Sequence, residues 1–155
     1  MLSKLKKNNK GFTIIEVLIV LAIAGLILLI VFLAVPALQR NSRNNQRNSD
    51  ASKIGAAVSD CLGNKNGQIG SCDSLAEVQA VGLDTTKIQQ LSTIVITAGA
   101  PAAPAAGVLN TINVGWIAKC NPAGDAVITG TARQAAAVYR VEDTGSAGVV
   151  RCIDI

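Results

Sequence analysis

The chain has 155 residues, no histidine, four cysteines, 3% aromatic residues and a net charge of +4. Without histidine, Ser-His and Cys-His nucleophilic arrangements are excluded, while the length is enough for one modest core. Lys4, Lys6, Lys7 and Lys10 hold the whole charge excess, so the remainder is side-chain neutral and lacks the electrostatic footprint of a nucleic-acid binder.

The first element is a lysine-rich leader, followed by Gly11-Phe12-Thr13-Ile14-Ile15-Glu16 and the apolar run Val17-Leu18-Ile19-Val20-Leu21-Ala22-Ile23-Ala24-Gly25. Glu16 is a carboxylate inside a segment of membrane length. At a helix centre such a charge costs about 2.5 to 3.5 kcal/mol on insertion scales, and less near an end, so it points by default to function and to a cationic partner. A cut after Gly11 creates an amine at Phe12, four residues before that acid. Opposite charges in a dry environment offset their desolvation only when well matched, and their best-attested use is to fix register.

Lys10 through Glu16, with the apolar run behind them, resemble the amino terminus of type IV prepilins. The shared features are a short basic leader, glycine as its last residue, phenylalanine first in the mature chain and glutamate at the fifth mature position. The resemblance implies that a prepilin peptidase cuts between Gly11 and Phe12 and N-methylates Phe12. It further implies that Glu16 attracts the terminal amine of a neighbouring copy during assembly. The implied fold is α+β, one long N-terminal helix packed on a small antiparallel sheet. One departure stands out, because similar pilins carry their first proline about one helical turn earlier than Pro36.

Residues 17–38 contain no charge. That length suits a membrane span of about 20 residues better than a signal-peptide core of roughly 7 to 15. Val35-Pro36-Ala37 still offers a conventional signal peptidase a site before Leu38. The leader lysines favour a cytoplasmic N terminus, although Arg40, Arg43 and Arg47 beyond the span weaken the asymmetry. Gly25 suits close helix packing between subunits, and Pro36 is expected to bend the helix by removing one backbone hydrogen bond.

Residues 39–50 are polar, with the three arginines at helical spacing and no apolar face. They suggest a solvated continuation of the helix, or, more sharply, a stripe meeting other subunits or anionic lipid head groups. Apolar periodicity resumes at Ala51, Ile54, Val58, Cys61 and Leu62, with Ala57 beside them. A helix over residues 12–62 has a length of about 75 Å at about 1.5 Å per residue.

Beyond it, Asn64-Lys65-Asn66-Gly67 forms a turn, and Ser74 with Glu77 marks the start of a short helix over residues 74–81. Strands are predicted at 91–97, 111–118, 126–129, 135–141 and 149–153 from their Val, Ile and Thr content. The Ala/Pro/Gly segment 98–107 is expected to be an exposed loop. Trp116 and Tyr139 suit the core better than a base-stacking platform. Glu142 and Asp143, as neighbours on a strand, point to opposite faces and make a poor acid pair.

Four cysteines in a chain directed across a membrane point to disulfides, with three possible pairings. A zinc site lacks histidine and any Cys-x-x-Cys spacing. The favoured pairing joins Cys61 to Cys72 around a short loop and Cys120 to Cys152, stapling the last strand to the sheet. The second bridge also resembles the C-terminal disulfide-bounded region of many type IV pilins.

The expected organisation is a leader (1–11), a transmembrane and polymerisation half of the helix (12–38), its amphipathic half (39–62) and a globular head (63–155). The expected role is that of a structural pilus subunit with no catalytic residue, cofactor or metal. It starts as a single-pass protein of the inner (cytoplasmic) membrane and ends in an extracellular filament. Partners implied by the resemblance are other copies, prepilin peptidase/methyltransferase, and indirectly an assembly platform and motor ATPase, with membrane lipid before assembly. Nucleic acid is not expected as a direct partner, although a filament can serve motility, adhesion or DNA uptake. The alternatives are a type II secretion pseudopilin and a secreted binding protein starting at Leu38.

Overall fold

A computed structural model describes residues 11–155. The leader expected over 1–11, with its lysines, therefore lies outside the described residues except for Gly11. The chain forms two compact units, one ending at Gln39 and the other comprising Arg40–Ile155. Helix α1, Ile14–Asn64, contributes residues to both and contains Pro36. Proline has no N–H to give the Phe32 carbonyl, yet the helix assignment runs through it.

In the first unit every residue from Gly11 to Gln39 is exposed. A helix that is apolar all round and unburied by its own chain calls for lipid or other helices as its surroundings.

In the second unit, α1 buries Ala51, Ile54, Val58 and Cys61, with Ala57 and Leu62 partly buried against the same core. The helix ends at Asn64 rather than Leu62, and Gly67 follows in a left-handed conformation, its N–H donating to the Leu62 carbonyl at 2.8 Å. Helix α2, Leu75–Ala80, opens with a reciprocal Ser74–Glu77 capping box.

Six strands follow: β1 Thr93–Thr97, β2 Thr111–Trp116, β3 Ala118–Cys120, β4 Val127–Thr129, β5 Ala135–Val141 and β6 Val149–Asp154. They form a four-stranded sheet ordered β1-β2-β5-β6 and a separate β3-β4 ribbon. The sheet is mixed rather than purely antiparallel, because β1 runs parallel to β2. Parallel neighbours need a crossover of a dozen or more residues, and residues 98–110 supply it without a helix.

That crossover is not a simple exposed loop. Pro101 and Pro104 are buried, the Asn113 side-chain amide donates to the Ala102 carbonyl at 2.8 Å, and Arg140 Nε donates to the Pro104 carbonyl at 2.8 Å. Gly115 is required there, since a Cβ at this position would lie 2.1 Å from the Gly99 carbonyl oxygen. The crossover thus covers the face of β2 and β5 opposite the helix, and β5 is buried on both faces. The predicted strand 111–118 is split between the two sheets at Ile117, whose φ of 54° breaks the extended backbone.

Trp116, Ile54, Leu91, Ile112, Val58 and Val114 are among the fully buried side chains of the core between α1 and the sheet. Burying an aliphatic side chain of this size contributes about 1.5 to 3 kcal/mol. Tyr139 joins them, and its hydroxyl donates to Asn48 Oδ1 at 2.8 Å.

Candidate functional site

Gly11, Phe12 and Thr13 are non-helical and exposed, and Phe12 is 89% accessible. The Gly11–Phe12 peptide bond therefore lies in non-helical, exposed chain immediately before α1. Thr13 caps the helix. Its backbone N–H and its hydroxyl both donate to Glu16 Oε2 at 2.8 Å, and the Glu16 N–H donates back to the Thr13 hydroxyl at 3.3 Å. This reciprocal Thr-x-x-Glu box satisfies donors that every helix start leaves orphaned. Glu16 is therefore less isolated than its position in an apolar run suggests. The Thr13 bonds fall on Oε2, and Oε1 has no hydrogen-bond partner among the described residues.

Phe12 and Glu16 flank a shallow, mostly apolar cleft of about 300 Å³ completed by Val17, Val20 and Leu21. The arrangement places a carboxylate oxygen at the edge of a greasy surface, beside the residue that cleavage would turn into a terminus.

The second cluster belongs to the head. Arg43 makes a two-pronged contact with Glu142, Nε to Oε1 at 2.7 Å and Nη2 to Oε2 at 2.6 Å. Arg47, only 5% exposed, donates to Glu142 Oε1 at 2.8 Å and to the Leu109 carbonyl at 3.0 Å. Arg40 reaches the Asp143 carbonyl at 2.8 Å. The Asn44 side chain meets both backbone groups of Glu142, donating to its carbonyl at 2.8 Å and accepting from its N–H at 2.7 Å. Hydrogen bonds from Arg43, joined by those of Arg47 and opposed by partial burial, hold the Glu142 carboxyl down to about 2.

Asp50 is fully buried, and its Oδ2 accepts the N–H groups of Gln89, Gln90 and Leu91 at 2.9, 2.6 and 3.3 Å. Lys53 Nζ stands 3.7 Å from the other oxygen. These bonds tie the chain entering β1 to α1. The polar stretch 39–50 is thus not a free solvated stripe, because its arginines are engaged by the turn after β5. The sequence carried a signal for this. Stepping back by three and four from Ile54 through Ala51 and Asp50 reaches Arg47, Asn44, Arg43 and Arg40, so the core-facing stripe continues in polar residues.

Cys61 is bonded to Cys72 and Cys120 to Cys152, with Cα separations of 6.0 and 5.6 Å. The second bridge joins β3 to β6, and alongside it the Cys120 N–H donates to Asp154 Oδ1 at 2.6 Å. Among the described residues no group of His, Cys, Asp and Glu is placed to hold a metal ion.

Residues 6–32 match the family model described as the prokaryotic N-terminal methylation motif. Motifs of this kind form the class III signal peptide of type IV pilins. Gly11, Phe12 and Glu16 all fall inside the matched segment. No curated protein and no solved structure matches the chain. The motif supports a prepilin of the type IV pilin or pseudopilin kind, and the helix packed on a small mixed sheet is a type IV pilin-like α+β architecture. The motif implies processing by a prepilin peptidase, and together with the one helix among the described residues that is long and apolar enough to cross a membrane it fits membrane insertion before assembly.

Proposed function

We propose that this chain is a structural, non-catalytic subunit of a type IV pilus filament. It enters the cytoplasmic membrane through residues 12–38, is cut after Gly11 and N-methylated at Phe12, and then polymerises through the same segment. The observation that carries this reading is the junction itself, an open Gly11–Phe12 bond followed at once by a capped helix whose apolar side chains up to Leu38 are all exposed. Lipid-to-helix transfer gains little by the hydrophobic effect, because lipid tails are as apolar as leucine. Specificity must then come from packing and from charge.

Glu16 meets that need with its Oε1, which has no partner among the described residues. The Oε2 side is occupied by Thr13, and Oε1 receives the Phe12 amine of an incoming copy. A secondary amine stays cationic near neutral pH, so methylation leaves this match intact. Extraction from the membrane falls to an assembly platform and a motor ATPase, and motility, adhesion or uptake belongs to the filament.

Mass spectrometry of the mature protein tests the reading. Its terminus should be Phe12 carrying one methyl group, in protein recovered from shed surface filaments. Leu38 as the sole mature terminus would overturn it in favour of a secreted protein.

A further inference from the structure

The two edges of the four-stranded sheet differ. On the β6 edge, the Cys152 N–H donates outward to the Gly124 carbonyl at 2.9 Å, and the Cys120–Cys152 bridge lies against the same strand. The β1 edge is open. The Thr93 N–H donates to the Asn110 carbonyl at 3.0 Å, so Thr93, Val95 and Thr97 turn their backbone groups toward β2 in register with Thr111, Asn113 and Gly115. Ile94 and Ile96, alternating with them, turn their N–H and C=O groups outward, and no hydrogen bond reaches these groups among the described residues.

Natural sheets guard such an edge with charges, prolines or bulges. Here no charged residue occurs between Lys87 and Lys119, and the first proline after β1 is Pro101. Every residue of the strand is β-branched, and Val95 is 40% exposed.

The sequence of the strand names its own partner. Thr93-Ile94-Val95-Ile96-Thr97 is the same in both directions. Paired antiparallel with a second copy about Val95, it sets Val95 against Val95, Ile94 against Ile96 and Thr93 against Thr97. The outward groups of Ile94 and Ile96 then fall on hydrogen-bonded pairs and form four bonds, while Val95 meets its counterpart as a non-hydrogen-bonded pair, the kind whose side chains approach most closely.

We propose that the open edge of β1 is a self-pairing site, where two copies of this chain join about a two-fold axis at Val95 and merge their sheets into one. Such a contact is isologous and closes on itself. It cannot repeat along a polar filament, so it links heads from separate filaments or from unassembled subunits. The inference stands on the head alone and does not depend on the filament reading.

Cysteine cross-linking of the full chain in membranes tests it. The native cysteines are all bonded in the structure, so Val95→Cys adds a single free thiol. At a non-hydrogen-bonded antiparallel pair its Cα atoms lie about 4.5 Å apart, inside the roughly 4.4 to 6.8 Å that a disulfide spans. Mild oxidation should give a reducible dimer as the main species for Val95→Cys and little for Val149→Cys, an exposed position on β6. Adding Ile96→Pro to Val95→Cys removes two of the four bonds without touching the β1–β2 ladder, and should lower the dimer yield roughly tenfold. The cross-link should persist with Glu16→Ala, which is predicted to stop filaments. No dimer from Val95→Cys, equal dimer from Val149→Cys, or loss of the dimer with Glu16→Ala would each overturn the edge pairing. Filaments that survive Glu16→Ala would count against the filament mechanism instead.

Discussion

Helix α1 carries two opposite arrangements of side chains. Before Gln39 its apolar residues are all exposed, whereas after it a charged pair of positions, Arg47 and Asp50, is buried. The contrast teaches that burial follows the availability of partners rather than hydropathy alone. The apolar half has no partner among the described residues and needs lipid or other copies. In the other half, the Glu142 carboxylate and the backbone N–H groups of 89–91 meet the arginines and Asp50 with matched hydrogen bonds.

The largest expected effect comes from breaking the buried half. Asp50→Ala leaves three backbone N–H groups without their acceptor, that of buried Leu91 among them, and the head should lose about 3 kcal/mol. Denaturant titration of the full chain in detergent, followed by the fluorescence of Trp116, measures this. Leu26→Ala in the exposed half should leave the same midpoint unchanged. A comparable loss for Leu26→Ala would erase the distinction between the two halves.

Glu142→Gln sharpens the comparison at smaller cost. It keeps the shape but leaves Arg47 buried without its anion, which should cost about 2 kcal/mol. The sign with pH follows from the depressed carboxyl. Its folded value of about 2 lies below the ordinary 4.5, so its stabilisation is fully present above about 4.5 and is lost as pH falls toward 2. Wild type and Glu142→Gln should therefore differ at neutral pH and converge in acid. A gap that stays constant down to pH 2 would remove the ion pair as its cause.

Thr13→Ala is the mildest change. Removing the cap should cost about 1 kcal/mol at the helix start, visible as faster amide exchange over residues 14–17, while filaments still form.

Much of this organisation was legible from the residues alone. The Ala51, Ile54, Val58, Cys61 period marked the buried face, and Ser74 with Glu77 marked the start of α2, because both signals are local. The parallel β1–β2 pair was not legible, since the Ala/Pro crossover has no helical period to announce a parallel connection. The helical spacing put Arg43 and Arg47 on the core-facing stripe, but their partner was hidden because Glu142 lies 99 and 95 residues away in sequence. Thr13-x-x-Glu16 is the same capping pattern as Ser74-x-x-Glu77, but the cost of a carboxylate at membrane depth points instead to a partner in another chain. The structure shows that the acid has a local task as well.

The cap and the proposed charge match of Glu16 can be separated by one substitution. Glutamine serves in the capping box as glutamate does, but it carries no charge for an incoming Phe12 amine. Electron microscopy and shed-filament yield of Glu16→Gln, alongside mass spectrometry of its N terminus, measure the outcome. The prediction is a membrane-resident protein, cut after Gly11, that forms few or no filaments. Abundant normal filaments from Glu16→Gln would contradict the charge match and leave Glu16 as a helix cap only.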